Sequence, residues 1–204
     1  MPVDAESYVA CVKARYGALA ENYLAIYPYD DLRDAVYSSI RDGFFGWPVE
    51  TFAKAEKHIK ANTYLYYYDH VLPWAEEIGM DVFHGSEMLC TFSNMKHNPR
   101  YSSSWPNYQA REVDKLMADV ISDYWVRFAR EGVPKVEGHA EWFPYTDDNR
   151  HYMAFRNGSE QPDRNLLPGA FELHEEIVMQ RRRQGDLCWD LTNIGLLAPL
   201  SASK

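Results

Sequence analysis

The stretch TYLYYYD, residues 63–69, puts a β-branched residue, a leucine and four tyrosines into seven positions directly after Asn62. Runs of this kind bounded by a turn former read as strands. Large residues at consecutive positions have no polar side to turn to water, so the run predicts a central strand with helices over both faces. Nothing else in the chain reads so strongly as strand, and HYMAF at 151–155 is a weaker candidate. One strong strand cannot make a sheet. The expectation is therefore a mostly helical α/β arrangement whose single strong central strand finds few sheet partners.

Upstream of the strand the periodicity is helical. Tyr8, Val9, Val12 and Tyr16 recur at helix spacing before Gly17, and ALAENYLAIYP is stopped by Pro28. DDLRDAVYSSIRDGFF opens with acids that suit a helix N-terminus, and Leu32, Val36 and Ile40 share one face. GWPVETFAKAEKHIKAN carries Pro48 near its start, with Val49, Phe52, Ala53, Glu56 and Ile59 in phase. Downstream, HVLPWAEEIGMDVFHGSE reads as a loop leading to a short apolar piece, MLCTF. Residues 94–109 read as a polar linker. Then Val113, Leu116, Met117, Val120, Ile121, Tyr124, Trp125 and Phe128 form one unbroken helical stripe ended by Gly132 and Pro134. That stripe is core material, not a cofactor box. EWFPYTDDNRHYMAF reads as an extended surface segment, and a last helix covers roughly 171–184, with a possible extension to Leu191.

Composition excludes several classes. Hydrophobic residues make up 46% of the 204, enough for a packed core. The net charge of −9 repels phosphate, so no nucleic-acid partner is expected. Arg181, Arg182 and Arg183 read as a solvated helix face. No apolar run approaches the ~20 residues of a membrane span, and the opening residues lack the apolar core of a signal peptide. Cys11, Cys90 and Cys188 give neither a disulfide framework nor a zinc module.

His84 poses the chemical question. It stands in DVFHGSEMLC, residues 81–90, on a loop after the strong strand. A lone histidine in apolar surroundings is ordinarily a hydrogen-bonded core residue. A proton carrier, in contrast, needs a loop at a strand end beside the reacting carbonyl, and Gly85 is read as removing a side chain that would crowd the imidazole. Asp81, His84 and Glu87 are spaced by three, but Gly85 interrupts the helix such a ligand set would need, so no metal site is read. His58, His97, His139 and His151 read as surface residues, and His70 and His174 have no partner legible in the sequence.

In order, YLYYYDH, FHGSEM, SDYWVRFAREGVP and EWFPYTDDNRHYMAF resemble the C-terminal part of type-B carboxylesterases, the family of the cholinesterases, over most of residues 30–191. The resemblance implies an α/β-hydrolase fold, with residues 1–204 as its C-terminal segment. It implies a serine ester hydrolase acting on small-molecule esters without a cofactor. His84 falls on the triad histidine, the general base, and Glu87 on a nearby structural acid. Met80, Phe83 and Met88 fall on the pocket wall.

The serine is missing. No serine or cysteine here sits in a G-x-S-x-G-type turn, and there is no glycine-rich oxyanion loop. In the fold's chain order nucleophile and acid precede the histidine, and neither Asp42 nor Asp69 matches the acid's position. The chain alone is therefore expected to be inactive, with the N-terminal, nucleophile-bearing half as its partner if the enzyme is split. The alternatives are a non-catalytic interaction module of the same family and a self-contained helical protein with no enzymatic role.

Overall fold

The computed structural model describes residues 4–56, 61–97 and 109–185. In chain order its helices are α1 (Ala5–Tyr16), α2 (Ala20–Ile26), α3 (Leu32–Arg41), α4 (Trp47–Ala55), α5 (Pro73–Glu77), α6 (Met88–Thr91), α7 (Glu112–Glu131) and α8 (Ala170–Arg183). Its strands are β1 (Tyr66–Asp69), β2 (His151–Arg156) and β3 (Ser159–Arg164). These elements fall into two compact units, Met1–Ala55 with Leu167–Lys204, and Glu56–Leu166. Ile59, the imidazoles of His58 and His97, Cys188 and the possible extension to Leu191 lie outside what is described.

The first unit is helical. Asp4 caps α1 by accepting from the Ser7 amide at 2.8 Å, and Gly17 ends it at φ +53°, a conformation other residues rarely adopt. Asp31 caps α3 in the same way. One π-helical turn, Asp42–Gly46, joins α3 to α4. Gly46 lies there because a Cβ would stand 2.4 Å from Cε1 of Phe171 on α8. The interior is built on tyrosines: Tyr8, Tyr16, Tyr23 and Tyr27 are all buried, and the Tyr16 and Tyr23 rings stack at 4.3 Å. The face expected of α4 is corrected. Val49 and Phe52 are exposed, Phe52 at 66%, while Glu50 and Ala53 turn inward. Lys54, one turn on, bonds the buried Glu50 carboxylate at 2.7 Å, which is what makes the inward glutamate tolerable.

The second unit carries the sheet, ordered β1-β2-β3. β1 runs parallel to β2 with Tyr66 opposite Met153, and β2 pairs antiparallel with β3. Here β2, not β1, is the central strand, which corrects the sequence expectation. The reason is chemical. Tyr152 to Phe155 are buried as a continuous run on both faces, whereas in β1 only Tyr68 is buried: Tyr66 on the same face is exposed, and Tyr67 on the other face is half-buried. A phenol tolerates water at its tip, so a tyrosine run does not demand two covered faces.

The hairpin between β2 and β3 turns on Asn157 and Gly158, both at positive φ (48° and 83°), the geometry that the right-handed twist of paired strands selects. β3 contains Pro162, which an edge strand accepts because its missing N–H can face away from the ladder. Gly158 is needed twice, for its φ and because a Cβ would stand 2.0 Å from Cγ2 of Val113. Gly158→Ala should therefore destabilise the unit by roughly 2–4 kcal/mol, read as a lower urea midpoint with unchanged slope. A change within experimental error would contradict this account of the turn.

α7 supplies the core. Met117, Ala118, Ile121 and Tyr124 are fully buried beside Leu89, Cys90, Met153 and Phe155. The predicted surface segment 141–155 is only partly that: Glu141, Phe143 and Thr146 to Asp148 are exposed, while Trp142, Tyr145 and Tyr152 to Phe155 are buried. The Trp142 indole N–H donates to the Leu65 carbonyl at 3.0 Å, and its ring meets Tyr124 and Phe155 edge-on. The Tyr124 hydroxyl in turn donates to the Ala140 carbonyl at 2.6 Å. The ends of the α7 stripe stay open: Leu116 is 60% exposed and Phe128 46%.

Candidate active site

The segment between β1 and α7 brings His84 to the surface. After β1 the chain makes α5, and the Met80 amide hooks back to the Ala75 carbonyl at 2.7 Å. A tight turn follows, in which the Ser86 amide donates to the Phe83 carbonyl (3.0 Å) and the Met88 amide to that of Gly85 (3.2 Å). His84 sits exposed on this turn, while Ser86 beside it is buried. Gly85 also serves the backbone, which stands there at φ +89°, and a Cβ would meet nothing within 4 Å beyond its two chain neighbours.

Both flanks of the turn are anchored. Before it, the Phe83 ring lies against Trp74 of α5 with centroids 5.2 Å apart, and both pack on the core. After it, the Glu87 carbonyl starts α6 by accepting from Cys90 and Thr91, and Leu89 and Cys90 are fully buried. Cys90 meets the Tyr68 hydroxyl at 3.5 Å, and burial pushes its thiol up to about 12. It is a packing residue, not a nucleophile.

The turn thus holds Phe83, His84, Glu87 and Met88 together. Met80 lies earlier in the loop, half-buried against the same core as Phe83. Glu87 is half-buried, and its charge adds to burial in raising the Tyr66 phenol. Asp69, an acid close in sequence, is engaged by Arg156 at 2.8 Å. Asp42 belongs to the other unit, where it accepts from the Tyr27 hydroxyl at 3.0 Å.

Two histidines whose partners the sequence did not reveal have them here. His70, immediately after β1, is buried with Nε2 2.8 Å from Asp114 Oδ1 on the first turn of α7. His174 of α8 is buried with Nε2 3.0 Å from the Tyr27 hydroxyl. His139 is exposed and meets Glu160 at 3.0 Å, and His151 is half-buried, stacked on Phe143. Among the described residues no three His, Cys, Asp or Glu side chains come together as a metal site. No described helix is long and apolar enough to cross a membrane.

Compared with known proteins, residues 16–172 match the model of the carboxylesterase family, from the last residue of α1 to the first turn of α8. The match begins earlier and ends earlier than the resemblance read from the blocks. No curated protein matches the chain. The family match spans the strand, the His84 turn and α7, well over half of the chain. The protein belongs to the carboxylesterase family.

Proposed function

We propose that this chain is the histidine-bearing C-terminal segment of a serine carboxylesterase, with His84 as general base. The observation that carries the reading is the placement of His84: exposed on a tight turn inside the family match, with half-buried Phe83 packed on the core before it and buried Leu89 and Cys90 after it. An imidazole so placed takes the proton from a serine hydroxyl as that oxygen attacks the ester carbonyl. It then returns the proton to the departing alcohol. Met80, Phe83 and Met88 form an apolar wall for the acyl or alcohol group, and Glu87 supports the turn.

The serine, its oxyanion donors and the orienting acid come in this reading from a nucleophile-bearing N-terminal portion of the same fold. That portion adds strand and helix neighbours to the present sheet. No described strand pairs with the outer edge of β1, and Phe128 is exposed beside Tyr64, with ring centroids 5.7 Å apart. Both features support such an addition, since open edges and apolar faces ordinarily find cover.

The chain alone should hydrolyse a chromogenic short-chain ester no faster than free imidazole. Mixing it with a serine-bearing N-terminal portion of a carboxylesterase should produce turnover. Turnover by the chain alone would refute the reading. A mixture that binds without turnover would favour the non-catalytic interaction module, the reading to which the missing G-x-S-x-G points.

A further inference from the structure

We infer that Arg111, Asp114 and His70 form a clamp that positions His84, so that the first turn of α7 sets where the proposed base stands. The inference rests on the reading of His84 as general base and adds the residues through which it is held.

The clamp is continuous. The Asp114 carboxylate accepts from the Arg111 amide (2.6 Å), from Arg111 Nη2 (2.9 Å) and from His70 Nε2 (2.8 Å). Arg111 Nη2 also donates to the Val71 carbonyl (2.8 Å), and Nη1 meets Glu76 of α5 at 3.1 Å. Three points of the segment leaving β1 are thus tied to α7: the His70 ring, the Val71 carbonyl and the Glu76 carboxylate. The last lies on the helix that carries Trp74, and Trp74 presses on Phe83, the neighbour of His84. Downstream, α6 packs on the same α7 through Leu89 and Cys90. Both ends of the His84 loop are therefore held by one helix.

The arrangement suits a positioning role better than a generic stabilising one. A guanidinium fork reaches a carbonyl and two carboxylates at once, which a point charge on a flexible stem cannot do. Burial, the largest influence on Asp114, would raise its carboxyl, yet the bonds from His70 and Arg111 hold it below the usual carboxylate range. The charge that organises the loop therefore persists at neutral pH. Among the described residues His70 Nδ1 is buried with no partner, so the ring is held through Nε2 on Asp114.

The test uses Arg111→Met in the full chain, with Arg111→Lys as the milder variant should the first not fold. Hydrogen exchange is followed over 78–91 and over the hairpin 151–164. Exchange in 78–91 should quicken roughly tenfold while the hairpin is unaffected. In the mixture with the serine-bearing portion, kcat should fall roughly tenfold or more at unchanged KM, because misplacing a base costs the chemical step. Arg111→Lys should show both effects in smaller measure. Unchanged exchange in 78–91, equal quickening of the hairpin, or an unaltered kcat would each overturn the clamp. If the wild-type mixture is inactive, the base assignment fails and the exchange result alone judges the clamp.

Discussion

Replacing His84 by Gln should lower ester hydrolysis in the reconstituted mixture by about 10²–10⁴-fold, the usual contribution of a positioned general base. The loss should fall on kcat with KM little changed, since the imidazole acts on the proton and not on the ester's binding surface. Because His84 is exposed on a turn held by its neighbours, the folded chain should lose little, within roughly 0.5 kcal/mol of wild type. An equal loss of activity and of folding would mean that the imidazole is structural. Met88→Ala, in contrast, should alter KM and the preferred ester length more than the rate of the chemical step.

The second large effect is one of pH. Burial depresses His174 to about 4, against an opposing pull from Asp42. Its ring faces the Tyr27 hydroxyl, which donates to Asp42, itself paired with Arg41. An unfolded chain protonates this histidine below about 6.5, while the folded chain resists until near 4. The unfolded state therefore binds the extra proton across that window, and stability falls as pH falls through it. The full loss is about 3 kcal/mol from this one group. Urea unfolding of the helical unit between pH 7.5 and 4 should show that decline, and His174→Gln should flatten it. A wild-type profile level from 7 to 4.5 would show that His174 is not held neutral.

Much of the fold was legible because local chemistry fixes it. α7 follows from its stripe and from Gly132, which leaves the helix in the left-handed region that ends helices. The first helix and its glycine stop follow likewise. Reading failed where side-chain type is ambiguous or the partner is remote. Four tyrosines looked like a two-sided core strand, although Tyr66 is left exposed and Tyr67 only half-buried. Asn157-Gly158 is a strong hairpin signal that would have exposed β3, but the polar residues around it masked a strand whose outer edge needs no apolar pattern. Trp142 and Tyr145 lie among turn formers and acids, and nothing local announces that the indole will find the Leu65 carbonyl.

The site divides along the same line. The His84 turn is legible from FHGSEM, because glycine and flanking apolar residues mark it locally. The His70–Asp114 pair spans 44 residues and the Tyr27–His174 pair 147. No periodicity connects such positions, since packing alone brings them together. One cheap signal did exist for the first pair. Arg111 and Asp114 open α7 three residues apart, and an acid at that position has spare acceptor capacity for whatever the preceding strand delivers.

The most direct measurement of the central claim is the rate at which a fluorophosphonate labels the serine of the nucleophile-bearing portion, with and without this chain. Wild-type chain should accelerate labelling of that serine and carry no label itself, and His84→Gln chain should bind equally yet fail to accelerate it. Equal acceleration by both chains, or stoichiometric label on a serine of this chain, would contradict the assignment of His84 as the base.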